Sequence, residues 1–439
     1  LGGSSLGQVI NKVGMKAPGI KDIKGFEKTF NFVQKLIRDK KIISGHDISS
    51  GGMITTLLEM CFPSQNVGME VNLSSVSEFD TTGILFSENS GLIIQSEEHL
   101  TELLRSVGID CFKIGKVNTS GALKIKNQND ELNLDVAKYR DIWYSTSTAL
   151  DKHQTNNGLA ETRFKNYKHT PLHFKFPKDF HGQLSKKNKK RIKAAIIREK
   201  GSNSEREMAY ALHVSGFDVY DIHMTDLING RENLEDYKFI VAVGGFSNSD
   251  VLGSAKGWAG AFLYNPKAKE SLDNFFARED TLSLGVCNGC QLFVELGLIN
   301  PDHTELPKME HNNSGKFECQ FTAVNIQTSS SVMMRGLEGS TLGIWAAHGE
   351  GKFYLPMEES NYQVPAKYHY DKYPANPNGS KYNAAMLCSN DGRHLVMMPH
   401  LERSTFSWNW AHYPLEREDE FSPWIIAFEN ALNWFSQDE

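Results

Sequence analysis

The 439-residue sequence has no long hydrophobic run, no dominant charge and few cysteines. No apolar stretch approaches the ~20 residues that a bilayer-spanning helix needs, and no signal-peptide pattern opens the chain. Lysine and arginine total 47 against 53 aspartates and glutamates, a formal net charge of −6 without long single-sign blocks. A nucleic-acid binder that depends on a general basic field is therefore not expected. We expect neither a membrane nor a nucleic acid as a partner.

The cysteines are too few and too scattered for a disulfide framework. Their distribution predicts reduced thiols in a cytoplasmic protein. The six are Cys61, Cys111, Cys287, Cys290, Cys319 and Cys388.

The length predicts two or three domains. Residues 1–150 mix strand-like runs (92–95, 111–117, 122–125) with helix-like runs (26–39, 53–60, 97–107). Residues 151–190 lack periodicity and are predicted to be a surface linker. The linker leads into the basic cluster KKNKKR, which we interpret as a solvated linker end rather than a nucleic-acid patch. Residues 191–439 form the remaining domain. The opening LGGSSLGQ, a glycine-rich loop without Met, is expected to be a cut inside a domain of a longer polypeptide.

From Ile192 onward, apolar strands alternate with helical patterns, which predicts a parallel sheet covered on both faces. The first helix has Ser202 and Glu205 in capping-box spacing and Gly216 at its end. Ligands of such sheets bind at the carboxyl ends of the strands. Three polar loops are predicted there, Gly201–Ser204, Gly244–Asp250 and Cys287–Gln291.

The segment GVCNGCQ places Cys287 between a buried strand and a helix, with Gly285 and Gly289 on either side. This is the spacing of a nucleophile elbow with sulfur in place of oxygen. The sharp turn has strained backbone angles, and flanking side chains would collide. The helix N-terminus favours the thiolate and offers the Asn288 amide as an oxyanion donor.

Two other interpretations of Cys287 and Cys290 are open. Their C-x-x-C spacing is also found in thioredoxin-like redox pairs and in half of a zinc site. A zinc site needs a second ligand pair, which the sequence does not show. A redox pair would need neither both glycines nor a downstream histidine–acid pair.

The segment HLVMMPHLERS supplies that pair. The apolar strand Leu395–Met398 is followed by His400 and Glu402, whose separation of two puts both side chains on one face if the segment is extended. A cysteine nucleophile needs a histidine to move the proton and an acid to orient the imidazole. We therefore predict a catalytic triad of Cys287, His400 and Glu402.

These residues resemble the class I glutamine amidotransferases, and more closely the large single-chain form of the formylglycinamide ribonucleotide amidotransferase family. The likeness covers most of residues 191–414 through GSNSEREMAYAL, DIHMTDL, GGFSNSD, GVCNGCQ, HNNSGKFE, AHGEGKF and MPHLERS. It implies a flavodoxin-like, mostly parallel sheet with helices on both faces. The family's GGFSYGD reads GGFSNSD here, and the Pro that usually follows the catalytic His is Leu401.

The resemblance also implies roles for individual residues. Cys287 is the nucleophile, His400 and Glu402 are its partners, and Gln291 holds the glutamine substrate. The oxyanion-side glycine loop corresponds to Gly244, Gly245 and Phe246. AHGEG is assigned to the glutamine pocket or to a domain interface, with an ordinary glycine turn as the other interpretation.

Residues 1–150 resemble the C-terminal subdomain of the family's synthetase unit (AIR synthetase-like, α+β), through LGGSSLGQ, GHDISSGGM and FSENSGLIIQ. DISSGGM is a polar loop before a helix, suited to a phosphate but equally to an ordinary capped helix. Candidate nucleotide or phosphate contacts are His46, Asp47, Ser49, Gly51 and Gly52. Ser50 stands where the family usually has Asp, and losing that carboxylate would weaken Mg²⁺ coordination. The implied site is therefore auxiliary rather than catalytic.

The implied function is to take ammonia from glutamine for an ATP-dependent synthetase that acts on formylglycinamide ribonucleotide. The full enzyme would use ATP and Mg²⁺, whereas glutamine hydrolysis itself would need no cofactor. Two alternatives remain, a thiol redox protein using Cys287 and Cys290, and a catalytically dead nucleotide-binding scaffold.

Overall fold

The computed structural model describes residues 1–64, 66–76, 80–169, 172–184 and 192–436. The basic cluster KKNKKR, expected to be a solvated linker end, lies outside these residues. The chain divides into two compact units, Leu1–Ala149 and Leu150–Glu439. Each unit has its own hydrophobic core.

The first unit mixes helices and strands, as predicted. Its helices are α1 Ser5–Val9, α2 Ile23–Arg38, α3 Gly52–Cys61, α4 Thr81–Leu85, α5 Thr101–Ser106 and α6 Val136–Gln154, the last continuing past the unit boundary. Its strands are β1 Ser44–Ile48, β2 Gly68–Asn72, β3 Gly91–Gln95, β4 Gly115–Asn118, β5 Ala122–Asn127 and β6 Asp130–Asp135. Among the described residues, β1 and β3 pair with each other, and the other strands form a sheet in the order β4-β2-β5-β6. These strand pairs are antiparallel except for the parallel pair β2–β5.

The strand predicted over residues 111–117 begins only at Gly115. Cys111 instead belongs to the turn after α5, where its carbonyl oxygen accepts a hydrogen bond from Arg105 at 3.0 Å. The apolar run is therefore longer than the strand that it contains.

The linker expected over residues 151–190 contains helical structure in its described part. Helix α6 ends at Gln154, and a further helix, α7, spans Leu159–Asn166. Arg163 forms ion pairs with Asp151 at 3.0 Å and with Glu318 at 2.8 Å. Charge pairs rather than an apolar stripe fasten this segment to the second unit, which is why it shows no hydrophobic periodicity.

The second unit contains the predicted sheet and an added set of antiparallel strands. Its strands are β7 Lys193–Arg198, β8 Asp218–His223, β9 Phe239–Ala242, β10 Leu282–Val286, β11 Lys308–Glu310, β12 Glu318–Ile326, β13 Thr341–His348, β14 Lys352–Tyr354, β15 Ala366–Tyr368, β16 Met386–Cys388 and β17 His394–Met397. Its further helices are α8 Glu205–Ser215, α9 Met224–Asn229, α10 Lys256–Leu263, α11 Pro266–Ala277, α12 Asn288–Glu295 and α13 Ile425–Trp434.

The main sheet has the order β16-β17-β10-β9-β7-β8 within the described residues. Strands β17, β10, β9, β7 and β8 run parallel, and β16 is antiparallel at the edge. All residues of β9, β10 and β17 are buried, as expected for strands covered on both faces. The predicted mostly parallel α/β sheet is confirmed.

The predicted capping box at the start of α8 is wrong. The helix begins at Glu205, and its N-cap is Ser204, with φ of 72° and no side-chain cap. Ser202 instead forms a β-bridge with Gly245, and the Asn203 N–H donates to the Gly244 carbonyl at 2.8 Å. These contacts hold the segment against the glycine loop, so the helix begins only after them. The predicted end at Gly216, with φ of 113°, is confirmed.

The added strands form two antiparallel groups, β13-β12-β15 and β11-β14, in the part of the chain that the structure describes. Strand β13 ends at His348, opposite Glu318 of β12. This places AHGEG at a strand end rather than in a free turn. No helix among the described residues has the length and apolar character needed to cross a bilayer.

Candidate active site

Cys287 lies at the turn between β10 and α12 with φ of 52° and ψ of −106°. A non-glycine residue in such a conformation costs about 1–3 kcal/mol and is found mainly at functional sites. Its N–H donates to the Met397 carbonyl at 2.8 Å, which ties the turn to the neighbouring strand β17. The Sγ atom lies 3.6 Å from the Ala347 carbonyl oxygen at the end of β13.

The two glycines flanking Cys287 leave no room for a side chain. A Cβ at Gly289 would lie 1.9 Å from the Ala242 carbonyl oxygen, and a Cβ at Gly285 would lie 2.6 Å from the Gly289 carbonyl oxygen. Real contacts of this kind do not occur below 3.0 Å. A side chain at either position would therefore collide with the backbone, as expected, and this explains the spacing of the motif.

His400 and Glu402 follow β17 and are both buried. His400 Nδ1 lies 2.6 Å from Glu402 Oε1, and the ring lines the same cavity as Cys287. The His400 N–H donates to the Trp345 carbonyl at 2.8 Å, which fixes the backbone beneath the ring. The segment bends after His400 rather than remaining extended, so a turn, not a strand, brings the two side chains together.

The charges of these groups support one another. Burial alone would lower the pKa of His400, but the negative charges of Glu402 and Cys287 raise it to about 10. Burial would likewise raise the pKa of Glu402, yet the His400 imidazolium holds it below its usual value. At neutral pH the arrangement therefore favours an imidazolium beside a carboxylate.

The glycine loop after β9 lies against this group. A Cβ at Gly244 would lie 2.8 Å from His400 Cε1, so the missing side chain makes room for the ring. Gly245 has φ of 123° and approaches the Gly201 backbone. The Phe246 N–H donates to the Gly201 carbonyl at 2.9 Å and is not free to act as an oxyanion donor. Its side chain nevertheless lines the cavity beside Cys287.

Asn288 and Gln291, both predicted site residues, form one hydrogen-bonded chain. Asn288 is fully buried, and its amide nitrogen donates to Gln291 Oε1 at 2.8 Å and to Asp250 Oδ1 at 3.2 Å. Gln291 Nε2 donates to the Glu350 carbonyl at 2.7 Å. The chain links the cysteine turn to the loop after β9 and to the end of β13.

A cavity of about 310 Å³ opens over Cys287 and His400. The expected residues Gly245, Phe246 and Gln291 line it. Sequence reasoning missed several other lining residues as individual site residues, although all of them lie inside the motifs that carry the family resemblance. These are Asn203, Asp250, His311, Lys316, Phe317, His348, Glu350 and Arg403.

Residues 191–435 match the family described as the CobB/CobQ-like glutamine amidotransferase domain. The chain belongs to that family. Residues 11–126 of the same chain match the C-terminal domain of AIR synthase related proteins.

The chain as a whole is similar to curated phosphoribosylformylglycinamidine synthases. It is 39% identical over 467 residues to a probable phosphoribosylformylglycinamidine synthase, chloroplastic/mitochondrial, of Arabidopsis thaliana, covering 99% of this chain and 33% of that protein. It is 37% identical over 477 residues to the synthase of Homo sapiens, covering 99% and 35%. The chain thus spans about a third of the length of these relatives.

Among solved structures, the chain is similar to PurLQS from Thermotoga maritima. The match has a TM-score of 0.45 and 24% identity, and covers 56% of this chain and 99% of that one. This likeness is too weak to bear on the site.

Within the amidotransferase domain, the two cysteines of C-x-x-C have different surroundings. Cys290 is fully buried in α12, and burial raises its pKa well above that of an ordinary thiol. Cys287 lines the cavity. All six cysteines of the chain are free. The buried thiol is poorly suited to the thiolate exchange that a redox pair requires.

The candidate phosphate loop of the first unit already holds a carboxylate. Glu88 Oε1 accepts hydrogen bonds from the Gly51 N–H at 2.7 Å and from the Ser5 N–H at 2.8 Å. These donors lie at the N-termini of α3 and α1, and their hydrogen bonds lower the pKa of Glu88. The start of α3, expected to attract a phosphate, is therefore partly satisfied by the chain itself.

The other predicted contacts in this unit do not form a metal site. His46 lies 3.4 Å from Asp47 and 3.3 Å from Glu59, and Ser50 supplies no carboxylate. Mg²⁺ prefers several oxygen ligands in octahedral geometry. The described residues contain no group of three or more His, Cys, Asp or Glu side chains that could hold a metal ion. The residues present do not fit Mg²⁺.

Proposed function

We propose that this chain hydrolyses the side-chain amide of glutamine with Cys287 as nucleophile, His400 as acid and base, and Glu402 as the residue that orients His400. The observation that carries the proposal is the position of His400. Its Nδ1 lies 2.6 Å from Glu402 Oε1, and its ring lines, together with Cys287, a cavity large enough for a small ligand.

The first half-reaction forms a thioester. The Cys287 thiolate attacks the carboxamide carbon, and the carbonyl electrons move onto the oxygen to give a tetrahedral oxyanion. When the oxyanion collapses, the C–N bond breaks and the His400 imidazolium gives its proton to the departing nitrogen, which leaves as ammonia. The high pKa of His400 keeps it protonated for this step.

The second half-reaction releases glutamate. Neutral His400 takes a proton from water as the water oxygen attacks the thioester, and the C–S bond breaks to restore the thiolate. The backbone amides of Asn288 and Gly245 would bind the oxyanion in both halves. Asn288 begins α12, so the positive end of the helix dipole adds to that stabilisation.

The larger reaction is also part of this proposal. We propose that the ammonia serves an ATP-dependent conversion of formylglycinamide ribonucleotide to formylglycinamidine ribonucleotide, with ADP, phosphate and glutamate as the other products. Two relatives that carry the synthase name support it, together with the AIR synthase related match over residues 11–126. A cytoplasmic location suits the free cysteines of the chain.

For the first unit we propose an auxiliary nucleotide contact at most. His46, Asp47, Ser49, Gly51 and Gly52 are its candidates. The Glu88 carboxylate would have to leave the Gly51 N–H before a phosphate could take its place. This chain alone should therefore not make formylglycinamidine ribonucleotide.

The test is glutamate release by the purified chain, first with glutamine alone and then with ATP and formylglycinamide ribonucleotide added. Cys287→Ala should abolish release, and Cys290→Ala serves as the matched control because its thiol is sealed in the helix. Release that survives Cys287→Ala contradicts the mechanism. If this chain alone makes formylglycinamidine ribonucleotide, that result contradicts the proposal that the first unit provides an auxiliary nucleotide contact at most.

The same assay separates the two rival functions. A dead scaffold would release no glutamate even with the other substrates present. A redox protein would form a reversible Cys287–Cys290 disulfide, which thiol titration detects.

A further inference from the structure

Two carboxylates, Asp250 and Glu350, line the cavity that contains Cys287. Asp250 comes from the loop after β9, and Glu350 lies just beyond the end of β13. They approach from different elements of the fold, so their presence in one cavity wall results from the tertiary structure. The glutaminase chemistry proposed above gives neither of them a task.

Both residues are held by side chains of α12, the helix that follows the nucleophile. The Asn288 side chain donates to Asp250 Oδ1 at 3.2 Å, and Gln291 donates to the Glu350 backbone carbonyl at 2.7 Å. Ser254 secures the Glu350 carboxylate with both its N–H and its hydroxyl, each donating to Oε2. The positions of the two carboxylates relative to Cys287 are thus fixed by hydrogen bonds.

The backbone that presents Asp250 is strained. Asn248, Ser249 and Asp250 have consecutive φ values of 52°, 58° and 45°, and Ser254 and Ala255 are also left-handed. Non-glycine residues in this region cost about 1–3 kcal/mol each and persist only where the surrounding structure imposes the conformation. An aspartate at the surface would not need such a loop. Here the strained backbone turns Asp250 toward the cavity.

The pair lacks a strong positive partner. No lysine or arginine in the described part of the chain forms an ion pair with either carboxylate, and the nearest cation candidate is His311, 3.5 Å from Glu350 and 81% exposed. Lys316, on the cavity wall, is paired with Asp151, and Arg403 bonds Asn203 and approaches Glu207. Burial and the nearby charge of Glu350 raise the pKa of Asp250, as expected for like charges without a cation.

We propose that Asp250 and Glu350 bind the α-ammonium group of glutamine, with the carboxamide at Cys287. This rests on the proposed glutaminase function and adds the residues that select a free amino acid. The ammonium group would supply the missing positive charge, and charge-assisted hydrogen bonds would fix one end of the substrate. Asp250 and Glu350 would then determine specificity, whereas Cys287 and His400 carry out the chemistry.

The test compares two substrates, glutamine and glutaramate, which is glutamine without its α-amino group. Glu350→Gln and Asp250→Asn keep the shape of each side chain and remove its charge. In each variant we expect kcat/KM for glutamine to fall about 10- to 100-fold, mostly through KM, while kcat/KM for glutaramate changes much less. The ratio of the two values should therefore collapse toward one.

Glu310→Gln is the matched control. Glu310, on β11, pairs with Lys352 of β14 and does not line the cavity, so removing its charge should leave the ratio unchanged. An equal loss for both substrates, with normal thermal melting, would show that the carboxylates only support the loop and would overturn the proposal. Variants whose kcat/KM values for both substrates equal those of the wild type would overturn it as well.

The glutaminase assignment can be tested separately from the ammonium site. If the wild-type chain hydrolyses glutamine through Cys287, the glutaminase assignment stands whatever the two variants do. If neither substrate is hydrolysed and Cys287 is not acylated by glutamine, the glutaminase assignment itself falls, and the ammonium site falls with it.

Discussion

His400 Nδ1 lies 2.6 Å from Glu402 Oε1, while the other carboxylate oxygen, Oε2, is buried without a hydrogen-bond partner. The carboxylate is thus committed to the imidazole alone. A buried anion of this kind is costly unless its partner is charged. The contact therefore suits an imidazolium, the state that proton donation to departing ammonia requires.

Glu402→Gln should slow glutamine turnover by about 100-fold or more while keeping the fold. The amide can still contact the ring, but it cannot stabilise the imidazolium as a carboxylate does. Glutamate release and thermal melting of the purified variant measure the two effects. Unchanged turnover in a normally folded variant would show that Glu402 does not orient His400.

Stability should decline as the pH rises toward 10. The folded pKa of His400, about 10, is raised above its ordinary value of 6.5. Its contribution is therefore complete below pH 6.5 and is lost as the pH rises through the folded pKa. Glu402, whose pKa is lowered, contributes above its ordinary value and loses that contribution only in acid.

Thermal melting of wild type and His400→Gln across this range isolates the contribution of His400. The difference between the two proteins should shrink between pH 6.5 and about 10. Melting curves that shift in parallel over the whole range would contradict the raised pKa.

Gly289→Ala should destabilise the amidotransferase domain by about 1–3 kcal/mol. The new methyl group would lie 1.9 Å from the Ala242 carbonyl, so the turn around Cys287 must move. Gly260→Ala in α10 is the control, because its nearest neighbour would be 3.7 Å away and alanine favours a helix. Equal melting temperatures for the two variants would show that the turn is not tightly packed.

Much of this site could be predicted from the sequence, because its signals are local. The spacing of Gly285, Cys287 and Gly289 reflects a backbone contact within one turn, and His400 and Glu402 are two residues apart. Buried parallel strands leave an apolar signature of their own. The main sheet was predictable for that reason.

The rest depends on contacts between distant segments. Asp250 and Glu350 lie in one cavity only because the end of β13 meets the loop after β9. Ser202 has the spacing of a capping residue, but it forms a β-bridge with Gly245 and lies outside the helix. Glu88 accepts a hydrogen bond from Gly51, which lies 37 residues earlier in the chain. A periodic pattern within one segment cannot reveal contacts with a distant segment.

Glu88→Gln should loosen the two helix starts of the first unit. The neutral amide is a weaker acceptor for the N–H groups of Ser5 and Gly51, which now share one carboxylate oxygen. Hydrogen exchange at those two amides should speed up, while amides of the amidotransferase domain stay as in wild type. Unchanged exchange at both positions would mean that the charge of Glu88 does not hold the loop.

Labelling by an electrophilic glutamine analogue tests the central claim most directly. Peptide mapping after reaction should find the label on Cys287, which lines the cavity beside His400, and excess glutamine should slow its attachment. Cys290, fully buried with a raised pKa, should remain unmodified. Preferential modification of Cys290, or labelling of Cys287 that glutamine does not slow, would contradict the account.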